Sequence, residues 1–131
     1  MQNVVDPALA GTKSKFKKEF KKRLYDFVLR LIEFLDNLPK DNVAKRVGDQ
    51  LLRSGTSILG NYVEGQSASS KKDFINYFNT SLKSTNESKL WLVLLRDSKR
   101  ARPEEVDWFL KELPACRQTG QKLVIFSRQV F

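Results

Sequence analysis

Histidine is absent from the 131 residues, and that gap removes most of the familiar chemistry. Without an imidazole there is no Ser–His–Asp or Cys–His catalytic pair and no histidine-ligated metal. A single cysteine, Cys116, excludes an internal disulfide and a multi-cysteine zinc cluster, and it fits a cytoplasmic protein. No apolar run approaches the ~20 residues that span a bilayer. No signal peptide, Walker A pattern or dinucleotide-type glycine fingerprint is visible either. The expectation is a protein with no enzymatic activity, no cofactor, no metal and no membrane association.

Prolines number only four, and they punctuate the chain. Pro7 lies in a polar stretch, residues 1–12, expected as a flexible tail ahead of one domain over 13–131. Pro39 and Pro103 each separate apolar-periodic segments, and strand patterns are lacking. From about Ser14, Phe16, Phe20, Leu24, Phe27, Leu31, Phe34 and Leu38 recur at spacings of three and four, one face of an amphipathic helix. From about Asp41, two stripes run in parallel: Val47, Leu51, Ser54, Ile58, Asn61 and Gly48, Leu52, Gly55, Leu59, Tyr62. Each mid-helix glycine costs about 1 kcal/mol against alanine. Gly48, Gly55 and Gly60 therefore imply close approach of another helix, and Gly65 reads as a left-handed helix stop. The third segment opens with the serine-x-x-acid capping box Ser70–Asp73. Phe74, Phe78, Ser81, Thr85, Ser88, Leu92 and Leu95 follow, and the helix is expected to end near Arg100. Pro103 starts the fourth, where Val106, Phe109, Leu113, Cys116, Gly120, Leu123, Ser127 and Val130 hold the period across Pro114. Four such helices with short connections predict an all-α, up-down-up-down antiparallel four-helix bundle.

What the chain has in excess is positive charge: 24 basic against 15 acidic residues, a net of +9. That balance points to a polyanion such as RNA or DNA. Lys13, Lys15, Lys17, Lys18, Lys21, Lys22 and Arg23 crowd the start of the first helix with only Glu19 against them. This is the end where the helix dipole favours acids. Lys71, Lys72, Arg96, Lys99, Arg100 and Arg102 make a second basic zone. Both read as phosphate-binding patches, with plain solvated helix faces as the alternative. Arg53, Ser57, Asn61 and Glu64 share one side of the second helix, beside Ser54. They read chiefly as a polar network that sets helix register. Cys116 reads as a small core residue, and Trp91 and Trp108 as core or subunit contacts.

The run from Gln50 to Gly65, with Arg53, Ser54, Ser57, Ile58, Asn61, Glu64 and Gly65, resembles the signature of the bacterial 23S ribosomal RNA intervening-sequence proteins. The serine- and lysine-rich turn Ser67–Lys72, then Phe74, Ser84 and Glu87, extends the likeness over about residues 38–95. The resemblance implies a small bundle that self-associates as a ring-like homopentamer. It also brings in the related accessory variability determinant of diversity-generating retroelements, a nucleic-acid-binding partner of a reverse transcriptase. The expectation is a non-enzymatic nucleic-acid-binding bundle, possible partners being RNA or DNA, further copies of itself and a reverse transcriptase. The rival is a protein–protein scaffold with no nucleic-acid role.

Overall fold

The computed structural model describes residues 7–130, with side chains from residue 11 to 122 apart from Lys13. Four helices, α1 (Pro7–Asp36), α2 (Asn42–Gln66), α3 (Lys71–Asp97) and α4 (Pro103–Val130), make up the fold. Connections over 37–41, 67–70 and 98–102 are too short for anything but antiparallel neighbours. Each helix packs on its sequence neighbour, and α1 closes against α4. The up-down-up-down bundle is therefore the observed architecture, and no strand occurs among the described residues.

Local chemistry starts the last three helices where the sequence suggests. The Asp41 carboxylate accepts from the Ala44 N–H at 2.9 Å and caps α2. The Ser70 hydroxyl accepts from the Asp73 N–H at 3.2 Å and caps α3. Pro103 opens α4 with Glu104 and Glu105 in its first turn, as the dipole prefers. On α3 every residue of the expected stripe, from Phe74 to Leu95, is buried. The α1 stripe from Phe20 to Phe34 is buried too, and Tyr62, Phe78, Phe109 and Cys116 fill the same core. α4 continues through Pro114 as one helix. The Leu123, Ser127 and Val130 side chains lie outside the described residues.

Several boundaries and roles differ. α1 begins at Pro7 rather than near Ser14, so residues 7–12 of the expected tail are helical. Residues 1–6 lie outside the described residues. Gly65 is not a left-handed stop: no glycine has a positive φ among the described residues, and α2 continues to Gln66. Gly65 is instead buried against α3, where a Cβ would sit 3.2 Å from Tyr77 Cβ. Of the three mid-helix glycines, Gly55 is the one that needs its missing side chain, because a Cβ there would come closer than 3.0 Å to Leu31 of α1. Gly48 is in ordinary contact range, and at Gly60 a Cβ would meet nothing. Leu52, expected in a buried stripe, is exposed.

α3 ends at Asp97, with Arg96 in its last turn, three residues short of Arg100. The Arg100 N–H reaches Leu95 O at 2.9 Å and the Lys99 N–H reaches Arg96 O at 3.0 Å. That is the Schellman pattern. Lys99 takes the left-handed position at φ 62°, which glycine usually occupies.

Candidate nucleic-acid interface

Antiparallel packing decides which charges share a pole. The starts of α1 and α3 and the ends of α2 and α4 lie at one end of the bundle. Lys15, Lys18, Lys21 and Lys22 on α1 therefore share a pole with Lys71 and Lys72 on α3. The zone of Arg96, Lys99, Arg100 and Arg102 lies at the opposite pole. A 25-residue helix such as α2 separates the two by roughly 37 Å at 1.5 Å per residue. The two basic zones of the sequence are thus rearranged: Lys71 and Lys72 join the first, and the four remaining residues stand apart.

The poles differ in how their charge is spent. At the far pole Arg100 holds Asp41 at 3.1 and 3.3 Å, and Arg102 is bound to Glu105. Arg96 lies 3.0 Å from Asp97 and 3.8 Å from Asp107. The Ala44 N–H, with the Arg100 guanidinium behind it, holds the Asp41 carboxyl below its ordinary value. Of the four candidates there only Lys99 is without an ion pair among the described residues; Lys40, Lys45 and Arg46, which lie at the same end, form none either. The paired arginines are exposed or half-exposed, and pairs of this kind add little stability. They do match three of the four candidate cations with carboxylates.

At the lysine pole the balance is reversed. Arg23 makes a two-pronged contact with Glu112 of α4, one prong at 3.1 Å, so it is withdrawn from the expected patch. The hydrogen bond to Glu112 raises the Arg23 pKa further. Lys15, Lys18, Lys21 and Lys22 are exposed and form no ion pair among the described residues. Lys71 is half-buried and Lys72 exposed, also without ion pairs there. Lys17 is half-buried, and its carbonyl accepts the Tyr62 phenol at 3.1 Å. That bond pins the lysine-bearing turn to α2. Burial pushes the Tyr62 pKa up to about 12, so the phenol stays a donor. The Lys13 side chain lies outside the described residues. Arg117, midway along α4, and Lys122, in its second half, are both exposed and were missed as sequence candidates. Antiparallel topology was the signal that could have placed Lys122 towards this pole.

The polar run of α2 has a different job. Ser54 and Ser88 hydroxyls lie 2.8 Å apart, and Ser84 donates to Ser57 at 2.9 Å. Ser81 donates to the Ile58 carbonyl at 2.9 Å. Asn61 Nδ2 donates to the Ser57 carbonyl and hydroxyl, both at 2.8 Å. Arg53 is bound to Gln50 and Glu87, and the Trp91 indole donates to Glu87 at 3.3 Å. Arg53, Ser54, Ser57 and Asn61 thus form one side of a polar seam between α2 and α3. No buried side-chain polar atom is left without a partner among the described residues. Glu64 stands outside this seam: its side chain is exposed and makes no hydrogen bond there.

This seam is built from the residues that carry the family likeness. A profile for the 23S rRNA-intervening sequence protein matches residues 17–120. The chain belongs to that family. A solved structure from Bacteroides thetaiotaomicron, a protein of unknown function from the S23 ribosomal protein family, is 28% identical to this chain. It superposes with a TM-score of 0.75 over 83% of this chain and 97% of that one. No curated protein matches. In this intervening-sequence protein the signature residues other than Glu64 therefore hold helix against helix, and the phosphate-binding candidates lie elsewhere.

Cys116 is buried, and that burial pushes its thiol up to about 11, far from the range of a reactive cysteine. No group of three or more potential metal ligands occurs among the described residues. No helix there is long and apolar enough to cross a membrane.

Proposed function

We propose that this intervening-sequence protein is a non-enzymatic bundle that binds RNA or DNA phosphates at its lysine pole and acts as a self-assembled ring of subunits. The observation that carries the reading is the contrast between the two sets of candidate residues. Three arginines of one are matched by their own carboxylates, whereas Lys15, Lys18, Lys21 and Lys22 of the other are exposed without ion pairs. Lysines that bind phosphate release condensed counterions, so the affinity is salt-sensitive and largely indifferent to sequence. The family's association with ribosomal RNA supports a nucleic-acid partner.

Self-assembly rests on a second observation. Val43 of α2 and Leu90 and Leu94 of α3 are exposed, and Leu90 adjoins the half-buried Trp91 in the chain. Repeating the lysine pole around a ring, five subunits by family resemblance, multiplies a modest patch into avidity. Service as an accessory to a reverse transcriptase is the sharpest form of the proposal.

The test is a salt titration of RNA and DNA binding. Each lost phosphate contact lowers the slope of log K against log salt by about 0.9 on a duplex. Reversal of Lys18, Lys21 and Lys22 to glutamate removes most binding and flattens the slope. Replacement of Lys99, at the other pole, by glutamine leaves both unchanged. Absence of binding by the wild type at low salt overturns the reading and leaves a protein–protein scaffold. A native mass of 15.1 kDa, that of one chain, overturns the ring.

A further inference from the structure

One aromatic ring stands among the lysines. Tyr25 is 54% exposed, the most exposed of the large apolar side chains among the described residues. It follows Lys18, Lys21 and Lys22 at helical spacings of seven, four and three, so all four lie on one face of α1. These residues, with Leu59 and Val63 of α2, line a groove of about 410 Å3. Its walls are aromatic and aliphatic, its rim carries three ammonium groups, and no carboxylate lines it. Gly60, between Leu59 and Val63, presents no side chain, and a Cβ there would meet nothing.

We propose that this groove holds an unstacked base of a single-stranded nucleic acid, with the Tyr25 ring as its stacking surface. Leu59 and Val63 form the opposite wall, and Lys18, Lys21 and Lys22 meet the phosphates on either side. This rests on the nucleic-acid reading above and narrows its substrate class to single strands. Charge complementarity selects the occupant. An apolar helix laid in the groove would bury three lysines without partners, at a heavy desolvation cost. A nucleotide brings a flat apolar face and a phosphate together. A duplex cannot use the ring, because its base faces are already stacked.

The experiment measures binding of a single-stranded RNA of about 12 nucleotides, and of a duplex of the same length, to the full chain. Wild type, Tyr25→Ala and Tyr25→Phe are compared across a salt series. Tyr25→Ala weakens single-strand binding about 5- to 100-fold, the range of one base–aromatic stack. Tyr25→Phe retains it, and the duplex affinity is the same for all three. The salt slope of Tyr25→Ala stays that of the wild type, which separates stacking from phosphate contact. Circular dichroism of the variants reports the fold, and an exposed position tolerates the change.

Equal affinity of Tyr25→Ala and wild type for the single strand overturns the proposal while leaving nucleic-acid binding in place. So does an equal loss on the duplex. A change in native mass in Tyr25→Ala assigns the groove to a contact between copies and also overturns it. A wild type that binds neither probe overturns this proposal and the broader one together.

Discussion

Two glycines five residues apart on α2 respond to the same substitution with opposite sign. Alanine in place of glycine inside a helix gains about 1 kcal/mol from backbone entropy and propensity. At Gly60 a Cβ meets nothing within 4 Å, so Gly60→Ala keeps the whole gain. At Gly55 the new methyl would come closer than 3.0 Å to Leu31 Cδ2 and 3.8 Å from its Cγ. Leu31 is fully buried, so its side chain has no solvent into which to swing. Overpacking of this kind costs about 1–3 kcal/mol. Set against the propensity gain, Gly55→Ala falls about 1–3 kcal/mol below Gly60→Ala. For a chain of this size that is a gap of roughly 3–15 °C in Tm. Urea unfolding followed by far-ultraviolet circular dichroism at fixed protein concentration measures it. Leu31→Ala supplies the internal control. It costs about 2–5 kcal/mol alone, but in that background Gly55→Ala becomes stabilising because the clash is gone. Gly55→Ala as stabilising as Gly60→Ala in the wild type would refute the close approach of α1 to α2.

The α2–α3 seam makes a matching prediction. Ser54→Ala costs about 1–3 kcal/mol by stranding the buried Ser88 hydroxyl, while the Ser54→Ala/Ser88→Ala pair costs less than the sum of the singles in denaturant melts. Lys99→Gly raises stability by about 1 kcal/mol, since glycine removes the penalty of the left-handed position; a lower Tm would contradict the cap geometry. Asp41 has its pKa depressed from an ordinary 3.8, so its contribution is present above that value and lost as pH falls through the folded pKa. The Tm difference between wild type and Asp41→Ala is therefore widest near neutrality and shrinks below pH 3.8; a difference that grows on acidification would reverse the sign of the argument.

Periodicity within one helix was enough for much of this molecule. The alternation of three and four from Phe74 to Leu95 places every one of those side chains in the core, and Ser70 and Asp41 cap where their chemistry suggests. These features depend on a few consecutive residues, whose geometry the helix repeat supplies. The placement of charge did not follow the same logic. Arg23 is neutralised by Glu112 and Arg100 by Asp41, partners 89 and 59 residues away. Nothing in a linear run of lysines and arginines distinguishes those two from Lys21 or Lys22. Gly55 and Gly60 looked alike on one helix, and they differ only because α1 approaches one of them. Tyr25 became part of a lysine-rimmed groove only when α2 brought Leu59 and Val63 beside it. The sequence by itself determined the four amphipathic helices, their caps and their excess of positive charge, because these arise from local spacing and composition. The tertiary structure alone decided which cations remain available and where they stand, because ion pairing and close approach depend on the sliding and rotation of one helix against another.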